Sequence, residues 1–186
     1  VAIAVLACAV TVESFRRWVK PAARRLDDEL QRQILPDGGH VGRNPTAVVE
    51  ILVDLLPIRQ VLAARGLPVS QAMMNAIDRM MPMLRFFRHD DGALALFNGA
   101  TSTPTDLIAT VFAYDEAKSR PHGNAPHSGY QRLEASGTVA MMDCGPPPPP
   151  ELSTIAHAGT LALEMSSGHC RFVVNCGAPF RPVGEW

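Results

Sequence analysis

Charge of one sign, a long apolar run, paired-cysteine motifs and facing carboxylates in the loops are all missing from this sequence, and each absence excludes a class of function. The net charge is −1 over 186 residues, which makes neither nucleic acid nor an anionic membrane surface an obligatory partner. A local basic cleft for an acidic substrate stays compatible with that balance. The most apolar stretch, VAIAVLACAV at residues 1–10, is shorter than the roughly 20 residues a spanning helix needs. It also lacks the basic region that precedes a secretory signal's apolar core, so no transmembrane segment is expected. Four cysteines, Cys8, Cys144, Cys170 and Cys176, are too few and too scattered for a disulfide scaffold. Without a CxxC pair, a structural zinc site built of cysteines is not expected. Cys170 and Cys176 fall about 20 Å apart on one expected strand, too far to bond to each other there. No pair of carboxylates stands out in the loops, which leaves a glycoside hydrolase without its acid and base.

What the chain does have is apolar periodicity. A hydrophobic fraction of 47% and a charged fraction of 19% describe a folded chain able to bury a core, as one domain or parts of two. The run at residues 1–10 reads as a core helix entered partway through a longer chain, and the C-terminal CGAPFRPVGEW leaves a strand without forming another element, so a fragment is expected. From Ala2 to about Leu35 the period is helical through Phe15, Trp18, Val19, Ala22, Leu26 and Leu30, with Pro21 expected to end or kink a helix. Thr46 to Arg65 resumes the period and stops at Gly66 and Pro68. A third helix begins at the N-cap Ser70 and carries a methionine stripe, read as core, to about His89. A fourth is expected from about Pro104 to Ala117, with Asp106 in its first turn.

Near Arg120 the composition changes. Residues 121–129 (PHGNAPHSG) are loop, and beyond them the period becomes two. Tyr130–Glu134 and Thr138–Asp143 flank a glycine-containing turn, and Thr160–Met165 and Cys170–Asn175 form a second hairpin around residues 166–169. Between the hairpins lie five prolines, Pro146 to Pro150, which predict a stiff extended connector. The strings MMDCGPP and VVNCGAP end the two hairpins alike, suggesting strand ends that leave the sheet at the same edge and bring Cys144 near Cys176.

The stretch Gln33–Pro45, QILPDGGHVGRNP, combines backbone freedom with clustered hydrogen-bonding side chains between two helices, as a binding or catalytic loop requires. The plainer alternative is a helix connection in which His40 bonds a carbonyl and Asn44, before Pro45, caps the next helix.

Taken together, QILPDGGHVGRNP, LRFFRHDDGALALFNGA, NAPHSGYQRLEASGTVAMMDCG and AHAGTLALEMSSGHCRFVVNCGAP resemble the heparinase II/III superfamily of polysaccharide lyases. The resemblance implies an α+β multidomain fold: residues 1–120 as the C-terminal part of an (α/α) toroid, and residues 121–186 as the first strands of an antiparallel β-sandwich. It implies β-elimination on a uronate-containing polysaccharide, in which the carboxylate is neutralised, the C5 proton removed and the departing O4 protonated. His40 or His157 would act as base and Arg43 as carboxylate clamp, with Asn44 and Asn98 holding substrate. For His157 the alternative is a histidine bonded to a strand-end carbonyl.

The chain departs from the pattern of active lyases. Ala47 falls where a tyrosine is expected, Ile155 where the catalytic first histidine of a His-x-His pair is expected, and His157 at the second, usually metal-linked one. Asn175 stands where a metal-binding Asp is frequent, so no cofactor is assigned, zinc being the divalent metal the resemblance would bring. Two functions follow: a divergent lyase, or a catalytically silent glycan-binding or envelope-associated relative. Either takes an acidic polysaccharide or oligosaccharide as partner and no nucleic acid. The resemblance places the protein in the periplasm or cell envelope and leaves the cytoplasm open.

Overall fold

The structure, a computed structural model, describes residues 12–115, 120–154, 156–157 and 159–176. The expectations for the apolar run at 1–10, Cys8, Ile155 and the C-terminal residues 177–186 lie outside the described residues. Among the described residues four α-helices, α1 (Val19–Gln33), α2 (Pro45–Ala64), α3 (Gln71–Phe86) and α4 (Thr105–Ala113), precede a sheet of five strands. The strands are β1 (Asn124–Ala125), β2 (Tyr130–Ala135), β3 (Thr138–Asp143), β4 (Leu163–Ser167) and β5 (Cys170–Val173). Their spatial order is their chain order, and every neighbour is antiparallel.

The helix ends follow from local chemistry. Asn44 accepts a hydrogen bond from the Thr46 N–H at 2.8 Å, with Pro45 at the first helical position, so α2 starts where its backbone donors find an acceptor. Ser70 does the same for Met73 at 3.2 Å. Gly66, at φ +63°, turns the chain out of α2. Pro21 neither ends nor kinks a helix: it is the third residue of α1, behind a 3₁₀ turn over Glu13–Trp18. Its missing N–H therefore falls in a first turn, where no intrahelical acceptor exists. α4 ends at Ala113, with Asp115 held by Arg85 at 2.7 Å just beyond it.

The methionine stripe of α3 is core, with Met73, Met80 and Met83 fully buried among Val48, Leu52 and Leu55 of α2. On the sheet, Tyr130, Arg132, Val139, Met141, Asp143, Glu164 and Ser166 point inward, as a period of two requires. Phe86, Phe87 and Phe97 close around the Tyr130 ring at centroid distances of 6.4, 4.9 and 5.3 Å. This aromatic cluster joins the helices to the sheet, an apolar contact supplemented by ring geometry.

The first hairpin turns through Ser136 and Gly137, both at positive φ, which suits the twist of the strands it joins. The second differs from its prediction. β4 begins at Leu163 and runs to Ser167, because Leu161 at φ +68° interrupts the extended chain and the turn needs only Gly168 and His169. β3 and β5 leave the sheet in the same direction on either side of β4. Cys144 and Cys176 are nonetheless exposed free thiols, with no disulfide between them. No helix among the described residues is long and apolar enough to cross a membrane.

Candidate functional site

The loop between α1 and α2 is more ordered than its glycines suggest. Ile34 and His40 form an antiparallel bridge, and N–H to carbonyl bonds tie Leu35 to Gly39, Val41 to Gln33 and Arg43 to His40 at 2.7–2.8 Å. Gly38, at φ +88°, lies against α3, where an added Cβ would come within 1.9 Å of the Arg79 carbonyl oxygen. Only glycine fits there. Asp37 accepts from the Gly39 N–H at one oxygen, and from the His127 N–H, Ser128 N–H and Ser128 hydroxyl at the other, at 2.7–3.1 Å. That carboxylate fixes the loop to the residues leading into β2, and beside it a cleft of about 340 Å³ opens among Asp37, Asp78, Arg79, His122 and His127.

Arg43 extends from this loop into the junction of helices and sheet. Its guanidinium donates to the Asp143 carboxylate, to the Pro146 carbonyl and, through Nε at 2.8 Å, to the Ser128 carbonyl. It also lies 5.0 Å from the centroid of the Tyr130 ring. The Tyr130 hydroxyl donates to the Arg43 carbonyl at 2.6 Å and accepts from Asn98 Nδ2 at 2.6 Å. Asn98 Nδ2 also donates to the second Asp143 oxygen at 2.8 Å, and the Gly145 N–H donates to the first at 3.0 Å. The ring Arg43–Asp143–Asn98–Tyr130 thus closes on itself in a buried volume. Burial first, and then the Asp143 charge, push the Tyr130 phenol far above its ordinary range. Gly145 lets the guanidinium in, since a Cβ there would meet Arg43 Nη2 at 2.5 Å.

The sequence-predicted residues therefore take different places. Arg43 and Asn98 meet at Asp143 and Tyr130. His157 lies at the same junction, its carbonyl accepting from the Gly99 N–H at 3.2 Å. Asn44 uses its side chain as the cap of α2. His40 is half-buried, its Nδ1 accepting from the Gly42 N–H at 3.0 Å within its own loop, and burial lowers its pKa. Among the described residues no three of His, Cys, Asp and Glu converge as a metal would require. Asn175 instead donates its side-chain amide to Glu164 at 3.2 Å.

A second buried polar cluster had no counterpart among the sequence expectations. His89 Nε2 meets Glu164 at 2.9 Å and Nδ1 meets the Ser166 hydroxyl at 2.7 Å. A carboxylate only accepts, so Nε2 carries its proton. Glu164 also accepts from the Leu96 N–H at 2.8 Å and the Asn175 N–H at 3.2 Å. Burial alone would raise its pKa, but these donors outweigh it and hold the carboxyl below its usual range. Asp143 and Glu164 shared one legible signal: each occupies an inward position of an alternating strand, where an acid demands a buried partner.

Residues 117–181 match the family model for the Heparinase II/III-like C-terminal region. The chain is 37% identical over 177 residues to FtsZ-localized protein C of Caulobacter vibrioides (strain NA1000 / CB15N), covering 95% of this chain and 31% of that protein. Among solved structures, heparinase III superposes with a TM-score of 0.77 at 15% identity, over 95% of this chain and 34% of that one. The heparinase III BT4657 gene product gives 0.76 at 18% identity, over 100% and 33%. The heparan sulfate lyase HepC from Pedobacter heparinus gives 0.70 at 16%, over 95% and 31%. The chain spans about a third of the length of these relatives, and at such identities the structural likeness is one of fold.

Proposed function

We propose that this chain, whose residues 117–181 match the Heparinase II/III-like C-terminal model and whose fold is that of heparinase III, is part of a polysaccharide lyase-like protein that holds an acidic glycan without cleaving it. One observation carries this reading. The groups that β-elimination would recruit, a guanidinium for the uronate carboxylate and a phenol for the proton, are bound to each other inside the protein. Arg43 spends its charge on Asp143, and a fully buried phenol with a raised pKa is a poor proton carrier at neutral pH. The other tyrosine in the chain, Tyr114, packs half-buried at the end of α4, and Ala47 has no proton to give. Arg79, His122 and His127 in the 340 Å³ cleft offer polar groups of the kind an acidic sugar takes. The 37%-identical relative is by its name localised with FtsZ, and a related placement is part of this reading.

In this reading residues 1–120 are the last helices of an (α/α) toroid and residues 121–186 the first strands of a β-sandwich. The outer sheet face supports it: Leu133, Met142, Leu163, Met165 and Phe172 turn away from the helices. An apolar outer face is what a second packed sheet covers.

A second reading, uronate elimination, is favoured by His40. Its lowered pKa keeps the imidazole unprotonated at neutral pH, the state a general base needs. His157, Asn44 and Asn98 would then serve the substrate, and Arg43 would exchange Asp143 for the substrate carboxylate. The deciding experiment uses the full-length protein with heparan sulfate, hyaluronan, chondroitin sulfate and alginate, following both calorimetric binding and the ultraviolet band of the unsaturated uronate. Binding without new absorbance is the expected result. Absorbance that His40→Ala abolishes would replace this reading with the lyase, and neither binding nor product would remove both.

A further inference from the structure

We propose that a second cleft, at the far end of the seam between helices and sheet, binds a sugar ring that carries one anionic group. The cleft measures about 460 Å³ and lies between the end of α3, the hairpin end of β2 and the β4–β5 turn. Ligand clefts span roughly 300–1,000 Å³, so a single ring has room there. Glu134 on its wall stands roughly 13 Å farther along β2 than Tyr130, at about 3.3 Å per residue, which separates the cleft from the Arg43 ring. It shares no lining residue with the cleft beside Asp37 and is independent of that site's role.

Three guanidiniums line the cleft, and they are not equivalent. Arg85 donates to the Asp115 carboxylate through Nε and Nη2 at 3.1 and 2.7 Å. Arg132 gives Nη1 to the Phe86 and Arg88 carbonyls at 2.8 and 3.1 Å and Nη2 to Glu134 at 2.9 Å. Arg88 is held only at its root: its Nε reaches the Gly92 carbonyl at 3.4 Å, and its guanidinium carbon lies 5.4 Å from the Phe112 centroid. Among the described residues the terminal nitrogens of Arg88 meet no acceptor. A fixed guanidinium with a free planar fork is the partner for a carboxylate, sulfate or phosphate group. His169, exposed in the β4–β5 turn, adds a second nitrogen donor. Asp90 and Glu134, both exposed, only accept hydrogen bonds, which suits the hydroxyls of a sugar and disfavours a bare anion.

The lining favours a small polar ligand over packed polypeptide. Among the described residues that line the cleft, only Pro121 has an apolar side chain. Another segment of chain closing over it would gain little apolar contact, and it would bury several charges that need individual partners. A charged sugar supplies those partners in one molecule, with its anion for Arg88 and its hydroxyls for Asp90 and Glu134. Because Arg88 is already placed by Gly92 and Phe112, little side-chain freedom is lost on binding.

The test is calorimetric titration of the full-length protein with glucuronate, a sulfated glucose and a phosphorylated glucose, beside neutral glucose and inorganic sulfate. At least one charged sugar is expected to bind about tenfold or more tightly than either glucose or sulfate, and the one that binds identifies the anionic group. Arg88→Gln, which keeps the stem against Phe112, is expected to weaken that binding about tenfold or more. His169→Ala, on an exposed turn where folding is not at stake, is expected to weaken it about threefold. Arg24→Gln removes an exposed cation of α1 and is expected to change nothing. Three results would overturn the proposal: no charged sugar binds, glucose or sulfate binds as tightly, or binding survives both Arg88→Gln and His169→Ala. Loss on Arg79→Gln with no loss on Arg88→Gln would do so too, by moving the ligand to the cleft beside Asp37.

Discussion

The two buried polar clusters that fasten the sheet to the helices differ in how their carboxylates are satisfied. Asp143, at the end of β3, depends on one permanent cation, with Asn98 and the Gly145 N–H as neutral partners. Glu164, near the start of β4, gathers a titratable imidazole, two backbone N–H groups and an amide, with Arg171 Nη1 farther off at 3.8 Å. Removing the cation from the first cluster strands a buried charge. Taking one donor from the second leaves several. The clusters should therefore fail to very different extents, although both lie at the same interface.

The largest effect is expected from Arg43→Met, which leaves Asp143 charged, buried and without a cation. Such a loss costs about 3–5 kcal/mol, read as a lowered urea midpoint at unchanged slope. Adding Asp143→Leu should recover part of that loss, because an apolar pair no longer carries an uncompensated charge. If the double variant were no more stable than the single one, the closed ring described above would not be the reason Arg43 matters.

His89→Ala should cost less, about 1–3 kcal/mol, as expected for losing hydrogen bonds to a charged acceptor. The remaining donors to Glu164 limit the damage. A loss equal to that of Arg43→Met in the same urea experiment would erase the distinction between the clusters.

Acid should act separately on the Glu164 cluster and on the loop between α1 and α2. Glu164 has a folded-state pKa below its unfolded one, so its contribution is complete above the ordinary glutamate range and disappears as pH falls through the lower folded value. His40 acts in the same sense at higher pH: its lowered pKa costs stability as pH falls below the ordinary histidine range. Each group can contribute a slope of at most about 1.4 kcal/mol per pH unit. Stability measured against pH should thus fall in two steps. Glu164→Gln should flatten the more acidic step and His40→Ala the other.

Part of this contrast was legible in the sequence. Helix positions followed from the apolar period and the caps at Asn44 and Ser70, both of which operate as local geometry requires. Arg43 and Asn98 stood out as polar residues beside glycines, and they do meet. Their common partners, Asp143 and Tyr130, lie about 30 to 100 residues away along the chain, and no local pattern announces such a pairing. His89 was hidden for the same reason, since it bonds β4 residues 75 and 77 positions later. An alternation that points an acid inward shows that a partner exists but not which one. The boundaries of the second hairpin were misplaced because periodicity registers side-chain polarity and not the sign of φ at Leu161.

Leu161 gives the smallest expected effect and the finest test of the Asp143 side of the comparison. Its left-handed backbone is imposed by neighbours: its N–H reaches the Asp143 carbonyl, while the next N–H, of Ala162, turns back to Gly159 at 2.7 Å. A non-glycine residue in that region costs roughly 1–2 kcal/mol, and glycine returns about half of the relief through its greater freedom in the unfolded chain. Leu161→Gly should therefore stabilise the protein by a few tenths to about 1 kcal/mol in urea unfolding, despite deleting a leucine. Asn98→Gly, also at positive φ, should do the opposite, because its side chain bonds both Tyr130 and Asp143. Opposite signs at two left-handed positions would separate strain that no side-chain contact offsets from strain offset by the buried cluster. Equal signs would mean that backbone conformation alone decides both.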